Sequence, residues 1–300
     1  MCDTCGCNVT EGNRHLIEGD GRLARTESGR EAISVLQGLL SENDHIAAHN
    51  REHFDRHQVL ALNLMSSPGS GKTRLLEETI AALKDEFRFA VVEGDLETEN
   101  DAQRIRDKGV PAVQITTGTA CHLDAHMVHN ALHEIDLDQV DIVFVENVGN
   151  LVCPASFDLG QHRNVILLSV TEGDDKPAKY PVMFRAADLM LISKSDLLAV
   201  LDDFEPNRAE RHLRELANRA PAFRVSARSG DGMQAWFDWL RSEFAALRER
   251  VQRGETMRPA IQPDGQLMHS HDDHAHDHAH DHGHGHAHTH HHHAAGHRHD

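Results

Sequence analysis

Residues 59–73 read V-L-A-L-N-L-M-S-S-P-G-S-G-K-T, an apolar run followed by a glycine-rich loop, and R-L-L-E-E comes next. This order predicts a strand over 59–65 and a helix over 72–84. The loop matches the phosphate-binding pattern G-x-x-x-x-G-K-S/T, except that Ser66 replaces the first glycine. Small residues let backbone N–H groups curl around a phosphate at a helix N-terminus. The stretch therefore predicts a nucleotide-binding unit rather than an ordinary glycine-rich turn.

Outward from this unit, apolar strands alternate with amphipathic helices to about residue 251. Further strands are predicted over 88–92, 112–116, 141–145, 165–170, 188–192 and 221–225, and helices over 99–108, 121–134, 206–219 and 233–250. The alternation indicates an α/β fold with a doubly wound, mainly parallel sheet. Residues 26–57 are predicted to form one or two helices. Apolar residues recur there at helical spacing, and S-E-N-D at 41–44 could interrupt the run.

The loop also predicts which groups hold the phosphates. We expect Lys72 to reach the β- and γ-phosphates and the Thr73 hydroxyl to ligate Mg²⁺. The remaining phosphate-binding positions are Gly69, Ser70, Gly71 and Arg74.

Acidic residues close two of the later strands, where ligands bind in open α/β sheets. A-V-V-E-G-D ends with Glu93 and Asp95, and I-V-F-V-E ends with Glu146. Asp95 and Glu146 are predicted to complete the Mg²⁺ shell or to orient the attacking water, with Asp95 assigned to the metal.

The choice of base is predicted by S-K-S-D at 193–196, which resembles the guanine-reading motif N-K-x-D with Ser193 in place of Asn. In that motif the carboxylate, here Asp196, accepts from guanine N1 and the exocyclic amine, which adenine cannot satisfy. The Lys194 stem covers the ring, and the Ser226–Ala227 loop lies behind the guanine oxygen. GTP is therefore favoured over ATP.

Cysteine and histidine usage indicates metal binding. Three of the five cysteines, Cys2, Cys5 and Cys7, lie within six residues, which is a poor disulfide framework. With the α-amine they can form an S₃N set suited to square-planar Ni²⁺ or tetrahedral Zn²⁺. From 269 to 299 the tail holds 16 of the 27 histidines among Asp, Ala and Gly, which favours weak multisite metal binding.

A second metal set is predicted at the sheet edge that carries the nucleotide. Cys121 and His122 open the predicted helix over 121–134, and Cys153 follows the strand ending near 145. A helix N-terminus would lower the thiol pKa, and three ligands leave one position open for water or a symmetry mate. Inert buried cysteines beside a surface histidine remain the alternative. Histidines at 45, 49, 53 and 57, and at 126, 129 and 133, are interpreted as solvated helix faces and are not assigned as ligands.

The chain divides into four predicted zones. These are a flexible Cys-rich N-terminus at 1–22, a helical extension at 26–57, a P-loop GTPase domain at 58–252, and a linker with a His-rich disordered tail at 253–300. With 30 Lys and Arg against 48 Asp and Glu, the net charge of −18 argues against a nucleic-acid partner. Without a long apolar run or a signal-like start, a cytoplasmic location with no membrane association is expected.

Several segments together resemble the HypB family, over roughly residues 1–250. They are M-C-D-T-C-G-C, V-V-E-G-D-L-E-T-E-N-D-A, T-G-T-A-C-H-L-D-A and V-E-N-V-G-N-L-V-C-P. The resemblance implies a SIMIBI-class GTPase that inserts nickel into nickel–iron hydrogenase. It implies a tight nickel site at Cys2, Cys5 and Cys7, and a nickel or zinc site at Cys121, His122 and Cys153 on a GTP-dependent homodimer interface.

The resemblance also implies partners and a mechanism. GTP, GDP and Mg²⁺ would bind at Lys72, Thr73 and Asp95, with guanine at Lys194 and Asp196. The expected partners are the zinc-containing nickel chaperone HypA and the hydrogenase large-subunit precursor. Family members with a His-rich segment usually carry it near the N-terminus, whereas here it is C-terminal. The alternatives are a nickel or zinc buffer, or a GTPase serving another metalloenzyme such as urease; the C-x-x-C-G-C head disfavours the latter.

Overall fold

The computed structural model describes residues 27–95, 100–118 and 120–260, with side chains described from residue 40 onward. Its strands are β1 Leu60–Ser66, β2 Phe89–Asp95, β3 Ala112–Thr116, β4 Ile142–Glu146, β5 Arg163–Ser169, β6 Leu189–Ser193 and β7 Ala222–Arg224. All neighbours pair in parallel, in the order β3-β2-β4-β1-β5-β6-β7. The predicted α/β class and parallel sheet are confirmed.

Helices cover both faces of this sheet. They are α1 Glu27–His57, α2 Lys72–Leu83, α3 Asn100–Arg106, α4 Ala125–Leu132, α5 Lys176–Lys179, α6 Pro181–Arg185, α7 Pro206–Glu215 and α8 Met233–Gln252. Short 3₁₀ helices lie at Leu137–Gln139, Cys153–Ser156 and Ser195–Ala199. Within the described part of the chain, no helix is both long and apolar enough to cross a membrane.

The central strand β1 shows how the core is divided. Leu60, Leu62 and Leu64 pack on the face covered by α2 and α8, whereas Ala61 packs on the face covered by α1 and α4. Side chains alternate between the faces of a strand, so the burial of all seven residues of β1 indicates that both faces of the sheet are covered. On the α8 face the buried Trp236 donates its indole N–H to Thr79 Oγ1 at 2.8 Å.

The N-terminal helix α1 is continuous, so the possible interruption at 41–44 does not occur. Asn43 is buried and uses its side chain for tertiary contacts: Nδ2 donates to Asp158 O at 2.9 Å, and Oδ1 accepts from Ala125 N at 2.9 Å. Two turns further on, Arg51 bonds both carboxylate oxygens of Asp158 at 2.7 Å. These buried contacts hold α1 against the sheet domain.

Several predicted boundaries are corrected by local contacts. The helix predicted from 121 begins at Ala125, because Asp124 caps it by accepting from Met127 N at 2.8 Å. The helix predicted to 219 ends at Glu215, and Ala217 shortly beyond it has φ +58°. Strand β2, predicted to end at 92, continues to Asp95 because it pairs along its length with β3 and β4. The short helices α5 and α6 were not predicted.

Candidate nucleotide site and adjoining metal cluster

The glycine-rich loop brings its polar side chains together beneath the first turn of α2. Gly69 and Gly71 adopt φ +72° and +97°, a left-handed conformation that favours glycine. Ser66, at the end of β1, accepts hydrogen bonds from the Ser70 hydroxyl and, at 3.0 Å, from Lys72 Nζ. The hydroxyl that replaces the first pattern glycine therefore lies inside the loop and helps to position its lysine.

Two buried glutamates lie side by side at the carboxyl ends of β2 and β4. Glu93 pairs in register with Glu146, and Thr73 Oγ1 donates to Glu146 Oε1 at 3.0 Å. Burial raises the pKa of both carboxyls, and the charge of Glu146 raises the pKa of Glu93 further. Among the described residues, no hydrogen-bond partner reaches Oε2 of either one. The raised pKa values favour a protonated carboxyl at this corner, where two exposed glutamates would both be ionised.

The same corner has the donor set of a hard cation. Asp95 at the end of β2 lines a cavity of about 370 Å³ together with Thr73, Glu93, Glu146 and Asp101. Carboxylate and hydroxyl oxygens are the ligands that Mg²⁺ prefers. The two unpartnered Oε2 atoms show that these residues fit a divalent cation, and Lys72 Nζ lies 3.9 Å from Glu146 Oε1.

Replacing Glu93 by Gln is expected to stabilise the protein when Mg²⁺ and nucleotide are withheld. The raised pKa means that the folded chain retains a proton that the unfolded chain loses above the ordinary value of 4.5. Stability from this group is therefore full below that pH and declines as the pH rises towards the folded pKa. A glutamine side chain at this position needs no proton, so we expect E93Q to gain on the order of 1 kcal/mol at pH 8, or about 2–4 °C in Tm.

Thermal melts at pH 5 and pH 8 check this expectation, with the exposed Glu134→Gln as the control. The gain for E93Q should be small at pH 5 and larger at pH 8, while the control should show no such trend. An equal change in Tm at both pH values would contradict a raised pKa at Glu93.

A second cavity, of about 220 Å³, adjoins the phosphate loop and shares Ser70, Gly71 and Arg74 with the first. Its other wall contains the predicted base-reading residues Lys194, Asp196, Ser226 and Ala227. The structure thus brings the whole predicted base set to one place, beside the phosphate loop.

Hydrogen bonds join the predicted base-reading residues to the phosphate loop and to one another. Ser193 Oγ donates to Ser70 O at 2.8 Å, and Lys194 Nζ donates to Gly69 O at 2.7 Å. Asp196 Oδ1 accepts from Ser226 Oγ at 2.7 Å. Ser193, which stands where the motif has Asn, therefore makes a buried contact with the phosphate loop.

The second predicted metal set also comes together. Cys121, His122 and Cys153 each offer a ligand atom, and these three atoms lie within 4.8 Å of one another. His122 is buried and stacks on Phe157 with ring centroids 4.0 Å apart. Burial lowers the pKa of His122 and so favours the neutral imidazole that binds metals. Two sulfurs and an imidazole suit Zn²⁺ or Ni²⁺.

The position of Cys121 relative to α4 differs from the prediction. Cys121 does not open a helix, because α4 begins four residues later at Ala125. The effect of a helix dipole is confined to about the first turn, so it gives no reason for a lowered thiol pKa at Cys121. The remaining argument for metal binding is the convergence of the three side chains.

A single loop, residues 147–153, joins the nucleotide corner to this cluster. Asn147, next to Glu146, accepts from Leu123 N at 3.2 Å through Oδ1. Asn150 Nδ2 donates to Cys121 O at 3.4 Å, and the loop ends at Cys153. A Cβ on Gly149 would lie 2.8 Å from the backbone of Pro68, so this glycine packs directly on the phosphate loop.

The sequence placed Glu93 beside Asp95 at a strand end without giving it a role, and it did not single out Asn147 or Gly149 as site residues. Glu93 and Asn147 lie at or just after strand ends, which was the available signal, but only strand order shows that β2 and β4 are neighbours. Cys2, Cys5 and Cys7 and the histidine-rich tail lie outside the described residues.

A parallel sheet with this loop after its first strand defines a P-loop nucleotide-binding protein. Residues 60–224 match the model of the CobW/HypB/UreG nucleotide-binding domain. The chain belongs to the HypB family of hydrogenase maturation factors. It is 51% identical over 226 residues to HypB from Rhizobium leguminosarum bv. viciae, covering 75% of each chain. It is 49% identical over 254 residues to HypB from Azotobacter vinelandii, covering 82% of this chain and 84% of that one.

A solved relative supports the same assignment. The crystal structure of HypB from Helicobacter pylori in complex with nickel aligns with a TM-score of 0.66 and 42% sequence identity. The alignment covers 76% of this chain and 99% of that chain. The likeness therefore extends over the whole of the solved protein.

Proposed function

We propose that this chain is a GTP-hydrolysing nickel chaperone that delivers Ni²⁺ to the large-subunit precursor of nickel–iron hydrogenase. The observation that carries the proposal is the loop 147–153, which contacts the phosphate loop at Gly149 and ends at Cys153, one of the three converging side chains that could hold a metal ion. A structural change at the bound phosphates can therefore reach the metal cluster through a short stretch of backbone.

In the nucleotide half, Lys72 pairs with the β- and γ-phosphates and the backbone of Gly69–Gly71 wraps around them. Thr73 and Asp95 hold Mg²⁺, with the Glu93–Glu146 pair beside them. Bound there, Mg²⁺ supplies charge neutralisation at the phosphates. Glu146 accepts the Thr73 hydrogen bond, and its Oε1 lies 3.9 Å from Lys72 Nζ. Because such sites act mainly by positioning, slow intrinsic turnover is expected.

The residues that line the smaller cavity favour the binding of GTP over ATP. Asp196 lies in the smaller cavity with one carboxylate oxygen bonded to Ser226, and its other oxygen can accept from guanine. Lys194 is held over the loop by its bond to Gly69 O, so its stem forms one wall for the ring.

In the metal half, Cys121, His122 and Cys153 bind Ni²⁺ or Zn²⁺ and leave one coordination position open. A second copy of the chain would supply further ligands when GTP closes a homodimer. The exposed Val152, next to Cys153, is consistent with such a contact surface. The solved relative was crystallised with nickel, which favours that metal as the cargo.

Residues outside the described parts complete the proposal. Cys2, Cys5 and Cys7 form a tight nickel site within the N-terminal zone 1–22, and the tail within 253–300 stores metal. A HypA-like nickel chaperone acts as partner, and the reaction takes place in the cytoplasm. The helical extension 26–57 and the GTPase domain 58–252 form the framework between these zones.

Gly149→Ala should weaken nucleotide binding and uncouple it from the metal. Its Cβ would meet the Pro68 Cα and N at 2.8 and 2.9 Å, so the backbone must shift. Overpacking of this kind costs about 1–3 kcal/mol, which corresponds to roughly 5- to 150-fold in GDP affinity. Titration with a fluorescent GDP analogue measures the change, with the exposed Val152→Ala as the control in the same loop. Wild-type affinity in G149A would contradict the proposed contact route.

The function itself is tested in a strain that lacks this protein. Hydrogenase activity should be lost on deletion and restored either by excess nickel or by the full chain. Unchanged activity would favour a metal buffer or a GTPase serving another metalloenzyme. Equilibrium GDP binding separates the last two, because a buffer with a vestigial nucleotide site would not bind GDP.

A further inference from the structure

Four histidines from two helices come close together, and none of them belongs to the set of Cys121, His122 and Cys153, which is called the cysteine cluster from here on. His49 and His53 lie one turn apart on α1. His129 lies in the second turn of α4, and His133 lies one turn further on, directly after the last residue of that helix. Ring centroids are 4.6 Å apart for His49–His53, 5.2 Å for His49–His129, 6.1 Å for His53–His129 and 4.7 Å for His129–His133. The sequence alone suggested two separate solvated faces.

A buried asparagine fixes the chemical form of one of these rings. The Nδ2 of Asn50 donates to Ala125 O at 2.8 Å and to Leu159 O at 3.1 Å, so its Oδ1 is turned towards His129. That oxygen lies 2.9 Å from His129 Nδ1, and as an acceptor it requires Nδ1 to carry the proton. The lone pair of the neutral ring is therefore on Nε2, which faces the cluster. Metal-binding histidines commonly have such a partner on the second ring nitrogen.

One pair of these rings already has the spacing of two ligands on a shared ion. His129 Nε2 and His133 Nε2 are 3.3 Å apart, about the separation of two nitrogens bound tetrahedrally at roughly 2.05 Å. Rings bound in this way have centroids about 5.2 Å apart, and the four observed separations lie on either side of that value. Closing all four nitrogens on one ion requires side-chain rotation, which the exposed positions of His49 and His133 permit.

The charge around the cluster favours neutral imidazoles. Burial lowers the pKa of both His53 and His129, and the neighbouring histidines lower it further; Arg56 adds to the effect at His53. The nearby His57 is engaged elsewhere, with Nδ1 2.7 Å from Asp138 Oδ1. Neutral rings repel a cation less and have the lone pairs that it needs.

We propose that His49, His53, His129 and His133 form a binding site for one divalent transition-metal ion of the Zn²⁺ and Ni²⁺ class, bridging α1 and α4. Imidazole nitrogen suits both ions, and pairs spaced i, i+4 on a helix present two ligands to one side. The site differs from the cysteine cluster in ligands and in place. Because α4 begins three residues after His122, an ion here would stiffen the segment that carries Cys121 and His122.

Residue-resolved footprinting tests this site in the full chain, despite the other metal-binding segments. Diethyl pyrocarbonate acylates unliganded imidazole nitrogens, and mass spectrometry locates each product. Zn²⁺ or Ni²⁺, added beyond the capacity of the tail, should reduce acylation at His49, His53, His129 and His133 at least fivefold. His212 on α7, which pairs with Glu215, serves as the reference histidine.

The double variant H49A/H133A removes the two exposed ligands and leaves Asn50 and the buried contacts in place. Metal protection at His53 and His129 should then be lost, while protection at His122 should remain. H212A should leave the protection of the four residues as in wild type. Equal acylation with and without metal in the wild type, or full protection of His53 and His129 in the double variant, would overturn the proposal.

Discussion

Lys72→Ala should reduce GTP hydrolysis by on the order of 10²–10³-fold, equivalent to about 2.7–4 kcal/mol of transition-state stabilisation. The Lys72 amine is buried at the base of the phosphate loop, 3.0 Å from Ser66 Oγ and 3.9 Å from Glu146 Oε1. Among the described residues, Lys72 is the one lysine that lines the larger cavity, where the acidic residues lie, whereas Lys194 lines the smaller one. Without it, charge developing on the transferred phosphoryl group loses a cationic partner. Single-turnover hydrolysis of radiolabelled GTP measures the effect.

The matched control is Lys179→Ala, which removes an exposed amine paired only on the surface with Asp175 at 2.6 Å. It should hydrolyse GTP at the wild-type rate. Lys72→Arg should not restore activity, since a planar guanidinium does not replace a compact ammonium in a closed loop. If K72A hydrolysed GTP as fast as K179A, the assignment of Lys72 to the phosphates would be wrong.

Cys153→Ser should lower nickel affinity at the cysteine cluster by more than about 100-fold, because even second-shell partners of a metal commonly contribute 10- to 100-fold. Cys153 is buried at the first position of a 3₁₀ helix, and its sulfur is one of three converging ligand atoms. A hydroxyl is a far weaker ligand for Ni²⁺ than a thiolate. The loss should appear in the ultraviolet band of thiolate-to-nickel charge transfer.

The measurement is made in a full-length parent variant in which Cys2, Cys5 and Cys7 are changed to Ser. In that chain only Cys121 and Cys153 can give a thiolate band, and the histidine-rich tail contributes none. Ser156→Ala, in the same 3₁₀ helix, is the matched control and should keep the band. The cluster assignment would be refuted if C153S retained the band at the same nickel concentration.

The part of the fold that could be predicted is the part determined by local pattern. The run 59–73 alone indicates a strand, a phosphate loop and a helix, and β1 and α2 lie within a residue of the predicted bounds. The predicted nucleotide residues come together because parallel strands direct all their carboxyl ends to one edge. The misplaced start of α4 was avoidable, since Asp124 is an ordinary helix-capping residue.

What could not be predicted depends on contacts between distant segments. Glu146 raises the pKa of Glu93 only because β4 lies beside β2 in the sheet, which the order of the strands in the chain does not reveal. His49 and His129 are 80 residues apart, and their proximity depends on α1 lying along α4 through Asn43 and Asn50. Periodicity within each helix describes a face, but it does not say what that face touches.

The paired glutamates have a thermodynamic consequence for cation binding. Divalent cations bind ionised carboxylates, so the raised pKa of Glu93 means that cation binding here is expected to release a proton. Binding of a divalent cation at this corner then exchanges a proton for the cation, so the affinity for the cation rises as the pH rises. Calorimetric heats of loading should accordingly depend on the ionisation enthalpy of the buffer, since the buffer takes up the released proton. In the cell, the local acidity would help to set how readily the nucleotide corner is filled.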